Sequence, residues 1–504
     1  MTDLRPTPGS ITPPIALEGD GDPSGLLLAE PVAVGAAFLD RLARVCAEVE
    51  VSDTRALAEA GRDWWPLAMT WALEGAVPGF PAAVARPADV GEVAAVVALC
   101  DVSRVPLTAA GGRSGVSGAS VPIHGGVVLD MTAMSGITAV DAVSGTVDVL
   151  PGTFGDVLEE ELRTAHGLTL GHWPQSIALS TVGGWLACRS AGQLSTRYGK
   201  IEDMVVALEV VLADGTVVQT GGAPRAASGP DLNQLFVGSE GTLGIITSAR
   251  LRCHPAPTAT RQAAYAFSSF VDGIAGLRAI LRRGATPAVA RLYDPIEADR
   301  SWSTGAQAVL LVLDEGDPVL VDATMAVVAE VCAAAEPMDP ALVDRWLGHR
   351  NDVSALEALI RKGFVVDTME IAGPWSKLPA LYDAVLGALQ GVEGMKAASA
   401  HQSHSYLDGG CLYFSFAGRP PLDEREAFYV KAWDAATAAV IAGGGALSHH
   451  HGVGLNRSRF MADALGGGMG VLQSMKKALD PSGILNPGKL GLASPFGATT
   501  WPSS

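Results

Sequence analysis

The sequence predicts an α+β protein in two parts, and three observations carry that expectation. Between about residues 105 and 247 short β-branched runs alternate with glycine-rich loops; from 261 to about 441 strand-like segments alternate with alanine-rich helices; Pro255 and Pro257 fall between the two. The second pattern fits an antiparallel sheet covered by helices. The expected organisation is an extension with helices over 1–75, a first domain over 76–257, a second domain over 258–441 and a C-terminal segment over 442–504.

The composition limits what the chain can be. At 504 residues, 48% hydrophobic and 17% charged, it suits two or three domains with ample core. Its formal charge of −18, from 53 acidic against 35 basic residues, repels phosphate backbones and anionic lipid headgroups. Nucleic acid is therefore an unexpected partner, and any membrane contact is expected to be peripheral and apolar. Six scattered cysteines form no C-x-x-C pair, and no signal peptide or membrane-spanning run is evident. A cytoplasmic protein is the expectation.

Taken in order, residues 1–36 read as a flexible lead-in that includes Gly19–Gly25, and 37–62 as one or two amphipathic helices. Asp89 and Glu92 form a capping-box pattern for a helix to about Cys100. Strands are expected at Val105–Ala109, Gly126–Met131 and Gly145–Leu150, and a helix at Phe154–His166. Met204–Thr220 reads as a hairpin turning on Asp214-Gly215. Beyond the prolines, strands are expected at Ala263–Phe267, Val309–Leu313 and Cys411–Phe416, and helices at Asp272–Arg283, Val319–Ala335, Lys377–Leu389 and Met469–Leu479.

Three glycine loops and one histidine run could carry chemistry. Gly111-Gly112-Arg113-Ser114-Gly115 follows a strand, where exposed amides can form an anion nest. It is neither a Walker A loop nor the G-x-G-x-x-G of a Rossmann fold. Ser180-Thr181-Val182-Gly183-Gly184 and Gly238–Gly244 are the other two loops. Leu447-Ser448-His449-His450-His451-Gly452-Val453-Gly454 sets three imidazoles between glycines far from either terminus. Three neighbours cannot all face one point, so His449 is expected to support the other two.

These loops, with Asp480-Pro481 and Asn486-Pro487-Gly488-Lys489, resemble the FAD-binding flavoproteins of the vanillyl-alcohol oxidase and p-cresol methylhydroxylase (PCMH) type over roughly residues 76 to 490. The resemblance implies a two-part PCMH-type FAD-binding domain, an α+β cap domain over the substrate, and a C-terminal segment returning to the FAD site. It implies cofactor contacts at Gly111, Gly112, Arg113, Ser114, Gly115, Ser117, Pro174, Ser180, Thr181, Gly183, Gly184, Glu240, Gly241, Thr242, Gly244, Ile245 and Ile246. The first loop lacks the histidine through which some members attach FAD, so non-covalent FAD is expected.

Two branches of that family compete. Some 2-hydroxy-acid dehydrogenases bind a divalent metal through two histidines and a glutamate; here the matching positions are Tyr406, Tyr413 and His450, and a phenol is a poor ligand at neutral pH, so no metal is expected. Ser180–Trp185, Tyr198–Asp203, Arg291 and Leu447–Gly454 look closer to alkyldihydroxyacetonephosphate synthase, which exchanges an acyl group for a long-chain alcohol without net oxidation. That likeness implies Tyr413, His450, His451 and Arg291 as catalytic residues. His401, where the synthase has arginine, and Gln175, where it has an acid, depart from it. On the residues alone, Arg291 could equally pair with an acid of its own domain.

The leading expectation is thus a synthase-like enzyme acting on a lipid, and the alternative an FAD-linked oxidase or dehydrogenase of a 2-hydroxy acid or alcohol. A flavin-binding fold without catalysis is the third. The family resemblance is also compatible with a homodimer.

Overall fold

The computed structural model describes residues 15–18 and 27–501, so the glycine cluster Gly19–Gly25 lies outside the described residues. The amphipathic stretch after residue 37 forms two helices, Ala36–Val45 and Thr54–Ala60, the second capped by Asp53 Oδ1 accepting from Ala56 N–H at 3.0 Å. The next helix, Val90–Ser103, starts at Asp89, whose carboxylate accepts from Glu92 N–H. The capping box is not reciprocal: Glu92 accepts from Ala88 N–H at 3.0 Å.

Two larger sheets build the first half, beside a two-stranded pair of Leu168–Thr169 and His254–Pro255. Ala83–Ala85, Val127–Asp130 and Leu107–Ala110 run parallel, with Val49–Glu50 antiparallel at one edge. Val127–Asp130 is buried throughout, as a parallel strand covered on both faces should be. The second sheet is antiparallel, ordered Ile137–Asp141, Thr146–Val149, Ile245–Arg252, Val205–Val211 and Val217–Gly221. Its expected hairpin is present with a wider turn than the sequence suggests. A two-residue type I′ turn needs positive φ at both central residues, and here Gly215 has φ +85° while Asp214 is not left-handed. Asp214 instead accepts from Thr216 N–H at 2.9 Å.

The second half is a seven-stranded antiparallel sheet ordered Glu336–Met338, Ala259–Phe267, Ala308–Gly316, Val289–Tyr293, Met395–Ser405, Gly409–Gly418 and Val365–Pro374. Period-two alternation divides its side chains between two cores. Leu292, Leu310, Val312, Leu412 and Phe414 meet the helices Phe270–Arg282, Leu378–Gln390 and Arg425–Gly443. Val289, Tyr293, Val309 and Leu311 face the other way and pack with Trp185, Leu208 and Phe236 of the first half. That second face is the one that builds the site.

Beyond Gly443 the chain bridges Ala372 through Ala446, then returns to the first half, where Leu485 bridges Leu107. Lys476 Nζ secures the return by donating to Thr242 O at 2.8 Å, Leu485 O at 2.7 Å and Asp480 Oδ2 at 2.5 Å. No helix among the described residues is long and apolar enough to cross a membrane. All six cysteines are free thiols.

Candidate active site

A cavity of about 670 Å³ opens where the two halves meet, within the range of sites that bury a cofactor or drug-sized ligand. Its floor is made by the glycine loops. The strand Leu107–Ala110 delivers Gly111–Gly115 onto the loop Leu179–Thr181, and a Cβ at Gly112 would lie 2.0 Å from the Leu179 carbonyl oxygen. Only glycine allows that crossing. Arg113 and Glu240, both left-handed at φ +51° and +50°, bend the first and third loops toward the cavity.

Of the residues expected to hold the cofactor, Gly111, Gly112, Arg113, Ser114, Gly115, Pro174, Ser180, Thr181, Gly183, Gly184, Glu240, Gly241, Gly244, Ile245 and Ile246 line it. Ser117 and Thr242 do not, and both hold loops together. Ser117 O accepts from Leu455 N–H and Asn456 N–H, and Thr242 Oγ1 donates to Ser239 O at 2.7 Å.

The opposite wall comes from the cap sheet. Tyr293 pairs with His401, His401 with Tyr413, and Tyr413 with Glu370 on successive antiparallel strands. Cross-strand partners share a face, so these four form one row. Tyr413 stacks on His401 at 4.8 Å and 15° and meets His451 edge-on at 5.5 Å. Burial holds its phenol above the ordinary value, so Tyr413 keeps its proton and offers a hydrogen-bond donor at neutral pH.

Glu370 also arranges the histidine run, a role the sequence did not suggest. One carboxylate oxygen accepts from the backbone N–H of His449 at 3.1 Å, His450 at 3.0 Å and His451 at 2.7 Å, and from Ser448 Oγ at 2.5 Å. The other oxygen pairs with Arg457. Burial opposes the charge of Glu370, but Arg457 and His451 outweigh it and hold the carboxyl well below its usual range. Wrapped on one anion, the run splays its imidazoles: His450 and His451 face the cavity, and His449 turns away toward Tyr406. His451 Nδ1 lies 3.2 Å from Glu370 Oε2 but off the hydrogen-bonding line.

Arg291 enters the cavity without a direct carboxylate partner among the described residues. Its Nε donates to Tyr293 OH at 2.6 Å and its Nη2 to His401 Nε2 at 2.6 Å. A guanidinium only donates, so His401 Nε2 accepts, and Nδ1–H is left to donate to Glu297 Oε1 at 3.0 Å. His401 is therefore neutral. Burial and the Arg291 cation both lower its pKa.

His404, His449 and His450 bring ligand atoms within 4.8 Å of one another. Tetrahedral zinc at about 2.0–2.1 Å from nitrogen sets its ligands only ~3.4 Å apart. The Nδ1 atoms of His449 and His450 are already hydrogen-bonded to each other at 2.9 Å, and Lys200 donates to His449 O at 2.6 Å. The arrangement is that of a hydrogen-bonded cluster beside a cation.

Asp63, also missed in the sequence, lines the cavity from the extension. Its Oδ2 is buried without a partner, and burial pushes its pKa up to about 7. The lone acid in Arg62-Asp63-Trp64-Trp65, amid bulky apolar neighbours, was the available signal.

A cavity floored by three glycine-loop backbones and walled by aromatic and imidazole rings fits a cofactor with a diphosphate and a planar ring system. A model of the FAD binding domain matches residues 81–221, and one of the C-terminal domain of FAD linked oxidases matches 256–490. The chain is 32% identical over 432 residues to YgcU of Escherichia coli (strain K12), described as an uncharacterized FAD-linked oxidoreductase, covering 81% of this chain and 89% of that one. The chain belongs to the FAD-linked oxidase family. FAD is its cofactor. It is also 32% identical over 454 residues to the alkyldihydroxyacetonephosphate synthase of Dictyostelium discoideum, covering 82% of this chain and 74% of that one. A solved alkyldihydroxyacetonephosphate synthase superposes with a TM-score of 0.77 at 26% identity over 96% of this chain and 90% of the other. p-Cresol methylhydroxylase shares the fold, with a TM-score of 0.71 at 17% identity over 92% and 99%. The two-part PCMH-type fold expected from the glycine loops is therefore present in this flavoprotein.

Proposed function

We propose that this flavoprotein oxidises a small hydroxylated carboxylate of the 2-hydroxy-acid class, with FAD held non-covalently. The observation that carries this reading is the polarity of the cap-side wall. Arg291, Thr368, His401, Ser403, Tyr413 and Ser415 line it, and the aliphatic side chains it contributes, Val353 and Leu356, belong to one short segment. A long alkyl chain would leave the Arg291 N–H groups that Tyr293 and His401 do not occupy without water or partners, at a cost of about 1–3 kcal/mol each. A small oxygenated anion satisfies them.

Bound FAD supplies the two-electron acceptor. The Arg291 guanidinium binds the substrate carboxylate through the N–H groups that Tyr293 and His401 leave free, and orients the hydroxyl-bearing carbon toward the cofactor. His450 takes the hydroxyl proton. Burial and the neighbouring His451 and His404 push its pKa well down, so its imidazole is neutral at physiological pH and has a nitrogen lone pair with which to accept. Tyr413, protonated, donates a hydrogen bond to the substrate oxygen. Non-covalent attachment is supported by the first glycine loop, which offers Arg113 and Ser114 and no histidine or cysteine.

Anaerobic mixing tests the reading: 2-hydroxy acids should bleach the flavin and turn over with a dye acceptor. Failure of every short 2-hydroxy acid to reduce it would refute the assignment. The second reading, acyl-for-alkyl exchange as in the synthase, is favoured by Tyr413, His450 and His451 standing together around one cavity and by the 32% identity to the Dictyostelium enzyme. Incorporation of labelled hexadecanol into an acyl-dihydroxyacetone phosphate would support it.

A further inference from the structure

We propose that His450 and His404 are the two ends of a proton relay, running through His449, Tyr406 and Ser195, that takes a proton from one point of the cavity and delivers one at another. His450 Nδ1 lies 2.9 Å from His449 Nδ1; His449 Nε2 lies 3.0 Å from Tyr406 OH; Tyr406 OH lies 3.2 Å from Ser195 Oγ; and Ser195 Oγ lies 2.7 Å from His404 Nδ1. Both end rings line the cavity, and neither Nε2 hydrogen-bonds to another described residue.

The connectivity restricts where the protons are. Each imidazole between or at the ends of these bonds is neutral, because burial holds His404, His449 and His450 well below their ordinary values. Lys200, donating to His449 O, adds a cation beside them. Each hydroxyl has two partners and one proton, so it accepts on one side and donates on the other. Only two arrangements satisfy all four bonds. In the first, His450 carries its proton on Nδ1, His449 and His404 on Nε2, and the hydroxyls point from Tyr406 to Ser195 to His404. In the second every proton is moved along by one bond. In both, one end presents a bare Nε2 to the cavity and the other an N–H.

Transfer balances without leaving charge behind. A proton arriving at His450 Nε2 lets Nδ1–H pass to His449, His449 Nε2–H to Tyr406, the phenol proton to Ser195 and the serine proton to His404 Nδ1. The His404 Nε2 proton then leaves into the cavity. One proton enters, one departs, and the relay is left in the opposite arrangement. His404, Ser195 and Tyr406 thereby gain a role that the glycine loops and histidine run do not assign. The relay rests on the proposed oxidation only in needing a substrate proton to be taken up in this cavity.

Nitrogen-15 NMR of the FAD-loaded protein labelled at histidine tests it directly. His404 and His450 should hold opposite tautomers, with His449 matching His404; identical tautomers at His404 and His450 would overturn the relay. This readout needs no substrate, so it stands apart from any failure of hydroxy acids to reduce the flavin. Tyr406→Phe supplies a second measure, since it keeps the ring stacked on His449 and removes the hydroxyl. With whichever substrate reduces the flavin, the proton inventory of reduction in mixed H₂O and D₂O should be curved for the parent and linear for the variant. Curvature that persists in Tyr406→Phe would count against transfer through the phenol.

Discussion

Arg457 and Glu370 form a fully buried ion pair behind the histidine run, and the three backbone amides of His449, His450 and His451 converge on the same carboxylate. Arg457 Nη1 also donates to Gly452 O at 2.6 Å, so one cation fixes both the anion and the loop that surrounds it.

Glu370→Gln should accordingly cost stability as well as shape. Removing one partner of a buried pair leaves the other charge uncompensated, a loss of about 3–5 kcal/mol. Chemical denaturation should show a fall of that order. The double variant Glu370→Gln, Arg457→Met should recover much of it without recovering activity, because the three amides then lack their anion. A single variant as stable as the parent would contradict the charge accounting.

Arg291 should act on substrate and leave cofactor alone. Arg291→Lys keeps the charge but loses the fork that spans Tyr293, His401 and the cavity. We expect the KM for a 2-hydroxy acid to rise ten- to hundred-fold, equivalent to about 1.4–2.7 kcal/mol, with flavin affinity unchanged by fluorescence titration. An unaltered KM would place the carboxylate elsewhere.

The sequence made the first half of the protein more legible than the second. Gly111–Gly115 and Ser180–Gly184 announce themselves because a close backbone crossing demands glycine, and that demand is local. The strand Met395–Ser405 was not expected, since Ala-Ala-Ser-Ala-His-Gln-Ser-His lacks the β-branched residues that mark a buried strand. Its polar side chains His401, Ser403 and His404 are buried because they build the site wall. Function there overrides propensity. Glu370 was hidden for the complementary reason: an acid inside the apolar strand Val365–Pro374 has meaning only once residues some 80 positions downstream are folded onto it. The helices expected from the sequence are present with ends shifted by a few residues, as with Phe270–Arg282, which begins at the Ser269 cap, but Pro295–Trp302, Ala341–His349 and Arg425–Gly443 were not among them.

Gly112→Ala tests the crossing that shapes the cofactor floor. A methyl group there would sit 2.0 Å from the Leu179 carbonyl oxygen and 3.2 Å from Phe154 Cε1, so the two loops must part. Overpacking of this kind costs about 1–3 kcal/mol. The variant should purify with a markedly lower ratio of flavin to protein absorbance and a lower melting temperature. Full flavin content would show that the loops can separate without disturbing the site.

Asp63 gives the fold a pH dependence whose sign can be worked out. Burial raises its carboxyl to about 7 from the ordinary 3.8. Between these values the unfolded chain has released the proton and the folded chain retains it, so stability falls as pH rises through that window and levels off above about 7. Lys489 and the Trp65 backbone N–H favour the charged carboxylate, but burial outweighs them. Asp63→Asn removes the ionisation and keeps the shape. In flavin-free protein the melting temperature should rise on substitution, and the gain should be larger at pH 8 than at pH 5. Equal gains at both pH values would mean that Asp63 ionises in the folded protein as it does in water, and that its unpartnered oxygen is solvated after all.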